Sequence, residues 1–440
     1  MLSRKIEISA TGPLRGPRLR EFSLDANAGI RYTFALLVVK RTLIVVLAVI
    51  AAFLLVIIAS LAKNAWESHA LQSSLDPFYT TPEEFSEVPG TLVRYEPLGA
   101  EVADAQAYRM LYVTEDSQGN PAVAAGMAFI PNEKAESPRP VVANIAGTTG
   151  QGDSCAPSRS TNPVDGVKNF LPEAIAQGWA VVAPDEYGVG TQGIQLYLIK
   201  EQEVRDTVNS IRALQSIPGT SAGDDFAVYG YSQGGRTALW TGHLSEQYAP
   251  EFDLVGVAAV APAANLTSIV ERQWDDVAGW GIGADVVRSW QVLYPNLFDG
   301  LLTDAARYNY QRIAQDCTFG SFVEGTIRHK IFKQSFFIEN PVKNPLVAQV
   351  LIDQTPMPYP ADLPLMLVQG TADQIVMASP NADLQEAWCA AGSTINGLWL
   401  AGVDHVNIAG MAGPSVAAWI ADRFAGKSAP NTCDTPRPGV

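Results

Sequence analysis

The pentapeptide Gly230-Tyr231-Ser232-Gln233-Gly234 sets one serine between glycines, directly after the apolar run "FAVYG" and before "GGRTALWTGHL", which can form a helix. Strand, sharp turn, helix is the context that lifts a serine Oγ above a sheet as a nucleophile, and the two glycines let backbone and helix pack closely around it. In a chain with 36 glycines the string alone is weak, and an ordinary turn serine is the alternative. A serine hydroxyl is a poor nucleophile without a base, so a histidine must decide the matter. The chain offers four. His69 stands in an N-terminal linker, His243 lies eleven residues beyond Ser232 on the helix that follows and should point away, and His329 sits beside cations in "TIRHKIF". His405, in "AGVDHVN", falls in a loop between a predicted last strand and the final helix, where a base is needed.

The acid that orients such a histidine should lie between the two in chain order. Asp373 does, in the loop after "LMLVQG" and 32 residues before His405. Buried beside the imidazole Nδ1–H, it would fix the tautomer and stabilise the imidazolium. Asp404 is the rival, but neighbours in sequence rarely aim both side chains at one another. Acyl transfer also needs donors for the oxyanion of the tetrahedral intermediate. One expected donor is the backbone N–H of Gln233, whose side chain is given no role. The other is a main-chain N–H of the loop "ANIAGTTGQGDSCAPS", somewhere from Gly147 to Ser154, with Gly147, Thr148 and Asp153 as the named candidates. A phosphate-cradling loop is a poor alternative, because no Lys-Ser/Thr follows these glycines.

The elements that must position these residues are legible as a change of texture along the chain. Leu92–Glu96, Ala107–Thr114 and Ala122–Ile130 read as strands, the first two partly alternating as in antiparallel pairs. "PVVANI", "AVVAP", "FAVYG" and "LVGVAAVA" are continuous apolar runs separated by helical patterns such as "EVRDTVNSIRALQS", the signature of buried parallel strands in an α/β sheet. The alternation stops for residues 263–362, which read as helices with scattered aromatics, and resumes with "LPLMLVQG", "GLWLAG" and a final helix. A crossover needs only a dozen or so residues, so this stretch is an inserted helical cap. The expected organisation is a basic leader (1–41), an apolar segment (42–62), a linker (63–90), the core in two parts (91–262 and 363–440) and the cap between them.

Thr42 to Leu61 is 20 residues without a charge, long enough as a helix to span a hydrocarbon core. The leader before it carries eight Lys/Arg against three acids, which predicts a cytoplasmic N-terminus and an extracytoplasmic body. A transmembrane anchor is the expected role; cleavage near Ala62, giving a secreted protein, is the alternative. The whole chain has a formal net charge of −15, and the part beyond the leader is more acidic still, which argues against nucleic acid as a partner. Four cysteines, Cys155, Cys317, Cys389 and Cys433, all follow the apolar segment and form no metal-binding pattern, so two disulfides are expected. Three pairings are possible; Cys389–Cys433, tying the tail to the last helices, and Cys155–Cys317, joining two distant segments, are favoured.

Taken together, "GTTG" with "CAPS", "APDEYGVG", "GYSQGG", "GTADQIV" and the Asp404–His405 pair resemble the secretory lipase family, within the α/β-hydrolase superfamily, over about residues 90–425. The resemblance implies a mostly parallel central sheet flanked by helices, with the cap inserted after the sixth core strand and covering an acyl-binding site. It implies that Ser232, Asp373 and His405 form a catalytic triad. One departure stands out, since relatives commonly carry His where this chain has Ala146. Asp185 and Tyr187 read as structural loop residues. The expected activity is hydrolysis of carboxylic esters, lipase-like, on a substrate with an apolar acyl chain and with no cofactor or metal. A peptidase or amidase of the same fold, or a binding module that has kept the scaffold, are the alternatives.

Overall fold

The structure, a computed structural model, describes residues 66–435 and, before them, positions 40, 42, 43, 46, 59, 60 and 63. Most of the expected membrane segment 42–61 thus lies outside the described residues; among those described, no helix is long and apolar enough to cross a membrane. The chain divides into two compact units at Ala70/Leu71, and the second holds every element discussed below.

Nine strands make one sheet in the order β1-β2-β3-β5-β4-β6-β7-β8-β9. β1 (Leu92–Pro97), β2 (Ala105–Glu115) and β3 (Pro121–Pro131) form an antiparallel edge, and β3 meets β5 (Ala180–Pro184) antiparallel. From β5 onward, through β4 (Arg139–Ile145), β6 (Ala222–Tyr231), β7 (Asp253–Val260), β8 (Leu365–Gly370) and β9 (Ile395–Leu400), all neighbours are parallel. The central strands are apolar throughout because both faces are covered. Phe226 and Val228 of β6 enter one core layer while Ala227 and Tyr229 enter the other, as the two-residue period of a strand requires.

Helix α1 (Leu171–Ala176) packs on the β5 side, and α2 (Lys200–Gln215) and α3 (Gln233–Tyr248) cover one face. Between β7 and β8 come α4 (Leu266–Gln273), α5 (Val277–Gly281), α6 (Gly283–Leu293), α7 (Asp304–Gln315), α8 (Thr318–Thr326) and α9 (Pro345–Asp353). These share an apolar cluster of their own around Trp280, Trp290, Phe298, Phe336 and Phe337. α10 (Ala378–Ala390) joins the α2 and α3 face through Leu384 and Trp388, and α11 (His405–Phe424) shares the other face with α1. The helical block leaves after the seventh strand in chain order, not the sixth that was expected, because Leu92–Pro97 pairs with β2 as a strand of the same sheet.

One expectation needs correction. Residues 71–79, taken as part of a linker, are helical. Leu71, Leu75 and Phe78 fall at i, i+4 and i+7, and this stripe packs against Leu111, Val123 and Ala125 of β2 and β3. The polar and proline residues on either side hid a single helical face.

Candidate active site

β6 delivers Ser232 to the N-terminus of α3 through a turn in which Ser232 itself has φ 58° and ψ −117°. A non-glycine residue in that region is held there by its surroundings. The flanking glycines are what make the surroundings possible. A Cβ on Gly230 would lie 1.9 Å from the Gly234 carbonyl oxygen, and one on Gly234 would lie 2.2 Å from that of Ile145. The Ser232 N–H donates to Val260 O (2.9 Å), which ties the turn to β7.

His405 opens α11 and is brought to Ser232 across 173 residues, its Nε2 2.9 Å from Ser232 Oγ. Its Nδ1 lies 2.7 Å from Asp373 Oδ2. The other Asp373 oxygen accepts the backbone N–H groups of Ile375 and Val376, both at 2.9 Å. All three side chains are buried. The Tyr231 hydroxyl donates to His405 O (2.7 Å), and its ring lies against the imidazole, so β6 orients both the serine and the histidine. Asp404 turns outward and caps α11, accepting from Asn407 N at 3.0 Å. Of the other histidines, His69 is exposed, His243 bonds Met357 O (2.7 Å) among Trp240, Tyr359 and Trp388, and His329 stands 4.0 Å from Asp276. None reaches Ser232.

Gly147 and Thr148 are brought to the serine. A Cβ on Gly147 would meet Ser232 Cβ at 3.3 Å and the Tyr231 ring at 3.1 Å, and Thr148 lines the same cavity as Ser232. The loop is held from the helical block: Thr318 Oγ1 donates to Thr148 O (2.7 Å), Thr318 N to Thr149 O (3.0 Å), and Cys155 is bonded to Cys317. Cys389 is bonded to Cys433. Asp153 is not brought into this group. It sits exposed in a 3-10 turn and faces a polar recess with Arg159 and Arg288, because the loop turns away from Ser232 after Gly150.

Above Ser232 runs an apolar cavity walled by the helical block, including Leu266, Ile269, Trp274, Ile282, Val286 and Phe337. A second, more polar recess on the other side of Gly147 is lined by Tyr231, Asn169 and Val406. Among the described residues no group of three or more His, Cys, Asp or Glu is placed to hold a metal ion.

A model of the secretory lipase family matches residues 159–432, more than half of the chain. The chain belongs to the secretory lipase family. Within this secretory lipase family it is similar to a probable inactive lipase of Mycobacterium tuberculosis (26% identity, 81% of this chain and 83% of the relative). It is also similar to Lipase 5 of Candida albicans (28%, 82% and 82%) and to the secreted triacylglycerol lipase LIP4 of Malassezia globosa (24%, 81% and 82%). Among solved structures, Candida antarctica lipase A in its closed state superposes with a TM-score of 0.66 at 19% identity, covering 83% of this chain and 89% of that one. The rice cell wall degrading esterase LipA of Xanthomonas oryzae does so with 0.63 at 19%, covering 77% and 99%. These likenesses establish the α/β-hydrolase-like fold of this chain.

Sequence reasoning missed what lies behind the serine turn. The Gln233 side chain, given no role, is buried and donates to Glu186 (3.0 and 3.1 Å) and to Glu203 (3.2 Å). Glu203 in turn pairs with fully buried Arg236 at 2.5 Å. Glu203 stands in "EVRDTVNSIRALQS", a helical pattern in which nothing local marks one acid for burial. Only the packing of α2 against α3 turns it inward. Asp185 binds the Ser158 N–H (3.1 Å) and hydroxyl, and burial pushes its carboxyl up to about 7.

Proposed function

We propose that the chain is a serine hydrolase of carboxylic esters in which Ser232 forms the acyl-enzyme. The observation that carries this reading is the continuous relay Asp373 Oδ2, His405 Nδ1 and Nε2, Ser232 Oγ, at 2.7 and 2.9 Å, ending on a strained turn. With Nδ1–H donated to Asp373, Nε2 is free to take the Ser232 proton as Oγ attacks the ester carbonyl. The oxyanion that forms is received by the Gln233 N–H, at the N-terminus of α3, and by a main-chain N–H of the Gly147–Thr148 stretch. His405 then protonates the leaving alcohol, and water hydrolyses the acyl-enzyme by the same steps in reverse. The Ala146 departure leaves these main-chain donors in place.

The apolar cavity over Ser232 is the acyl site in this reading, with the helical block as its cap and the more polar recess beside Gly147 taking the alcohol. An apolar wall offers a peptide amide no partner, which disfavours the peptidase reading. One relative bears the name of a probable inactive lipase, and a silent binding module is the second reading. The intact relay favours activity. Hydrolysis of p-nitrophenyl esters of graded chain length, alongside an aminoacyl amide, separates them. Ester turnover that increases with acyl length supports the proposal, and amide cleavage alone, or no turnover by folded protein, overturns it.

The two disulfides and the apolar 42–61 segment fit an extracytoplasmic catalytic body, anchored or released after cleavage near Ala62. N-terminal sequencing of the protein recovered from cells distinguishes the two.

A further inference from the structure

Three buried carboxyls converge behind the serine turn: Glu186, from the loop after β5, and Glu203 and Asp206, one turn apart on α2. Among the described residues one cation touches them. Arg236 of α3 spends Nη1 on Glu203 Oε2 (2.5 Å) and its remaining N–H groups on Leu198 O and Gln354. Asp206 is satisfied by neutral donors, Thr114 Oγ1 (2.6 Å), Gln202 Nε2 (2.9 Å) and Tyr187 N (2.8 Å). Glu186 has only amides: Gln233 Nε2 on both oxygens and the Gln195 amide on Oε2. The other titratable groups around it are Asp185, which precedes it, Tyr112 of β2, and Tyr197.

Two buried anions sharing one amide, with the guanidinium on Glu203 alone, repel each other with little screening. Burial raises both carboxyls, but Arg236 bears on Glu203 and lowers it, so of the two the proton belongs on Glu186. Burial and the neighbouring Glu203 both push Glu186 well above the usual carboxylate range. The contacts are compatible with that proton: Glu186 Oε2 and the Gln195 amide are 2.6 Å apart, and with the amide turned over Glu186 donates to Gln195 Oε1.

We propose that Gln233 is a positioning residue: its side-chain amide, gripped between a neutral Glu186 and an anionic Glu203, holds its own backbone N–H toward the oxyanion. The inference rests on the ester-hydrolase reading above, since that chemistry is what needs the N–H. The grip acts on the residue next to Ser232, whose φ of 58° must be held from outside. Ionisation of Glu186 at high pH puts a second anion beside Glu203 and opens the clamp, so the alkaline fall in kcat reports this group.

The test uses the full chain and kcat and KM against pH on p-nitrophenyl butyrate. Gln233→Met and Glu186→Ala are each expected to lower kcat by about 10- to 100-fold with KM within about threefold. Glu186→Gln recovers most of that loss and moves the alkaline limb up by more than about one pH unit. A Gln233→Met kcat within about twofold of wild type, or a Glu186→Gln no better than Glu186→Ala, overturns the proposal. If Gln233→Met does not fold, the isosteric Glu186→Gln carries the test. Infrared spectra of wild type and Glu186→Gln at pH 7 read the proton directly, whether or not any ester is turned over. Asp185 and Asp206 contribute to both spectra, so the reading is the difference: a protonated-carboxyl component present in wild type and lost in the variant supports the clamp, and no such difference overturns it. Wild type that shows this component but hydrolyses no ester refutes the parent reading and, with it, the positioning role.

Discussion

His405 Nδ1 lies 2.7 Å from Asp373 Oδ2, while the second oxygen of that carboxylate is taken by the N–H groups of Ile375 and Val376. Asp373 is therefore fixed as an acceptor, and the imidazole has one tautomer that satisfies it. Asp373→Asn keeps the shape but offers N–H where an acceptor is needed. We expect kcat to fall by about 10³- to 10⁴-fold while the thermal midpoint moves little. Steady-state rates and a melt on the same preparation check this.

The Cys155–Cys317 bond closes 162 residues and ends beside the threonine contacts that hold the Gly147–Thr149 stretch. Chain entropy sets its stabilisation at about 5 kcal/mol as a ceiling, with about 2–4 kcal/mol typical. Replacing both cysteines by serine should lower both stability and kcat, because the Gly147–Thr149 stretch, which the proposed mechanism uses for the oxyanion, loses its brace. The same change at Cys389 and Cys433, far from the serine, should lower stability alone. Parallel loss of kcat in both pairs would contradict the assignment of the brace.

Burial pushes Asp185 and Asp206 each up to about 7. An unfolded aspartate titrates near ~3.9. Between roughly pH 4 and 7 the folded chain holds protons that the unfolded chain has released, so stability is greatest below this window and is lost as pH rises through it. The gap caps each contribution at about 4 kcal/mol. The urea midpoint should be higher at pH 5 than at pH 8, and Asp206→Asn should flatten the slope. A midpoint that climbs steadily from pH 5 to pH 8 would contradict this.

Val286 projects into the apolar cavity from α6. Val286→Trp fills space that a long acyl chain needs and leaves the reacting atoms untouched. Long-chain p-nitrophenyl esters should lose at least about tenfold in kcat/KM relative to the acetate. An unchanged chain-length profile would place the acyl chain elsewhere.

The parallel strands were legible because burial on both faces makes them continuous apolar runs, and the helical block because it interrupts that rhythm for about a hundred residues. Ser232, His405 and Asp373 stood out because histidine is scarce and the chain order is restrictive. The clamp behind Gln233 did not. Glu186 and Glu203 look like ordinary surface acids until α2 and α3 pack, and no local pattern reports a tertiary neighbour. Asp153 failed for a related reason: a glycine-rich loop shows that backbone can approach, not which of its residues turns inward.

The central claim is that Ser232 is a nucleophile activated by His405. Labelling the folded full chain with a fluorophosphonate and mapping the modified peptide tests it most directly. The account predicts stoichiometric labelling on Ser232, lost in Ser232→Ala and slowed by at least about 10³-fold in His405→Ala. Folded wild-type protein that takes up no label, or takes it up at another residue, would contradict it.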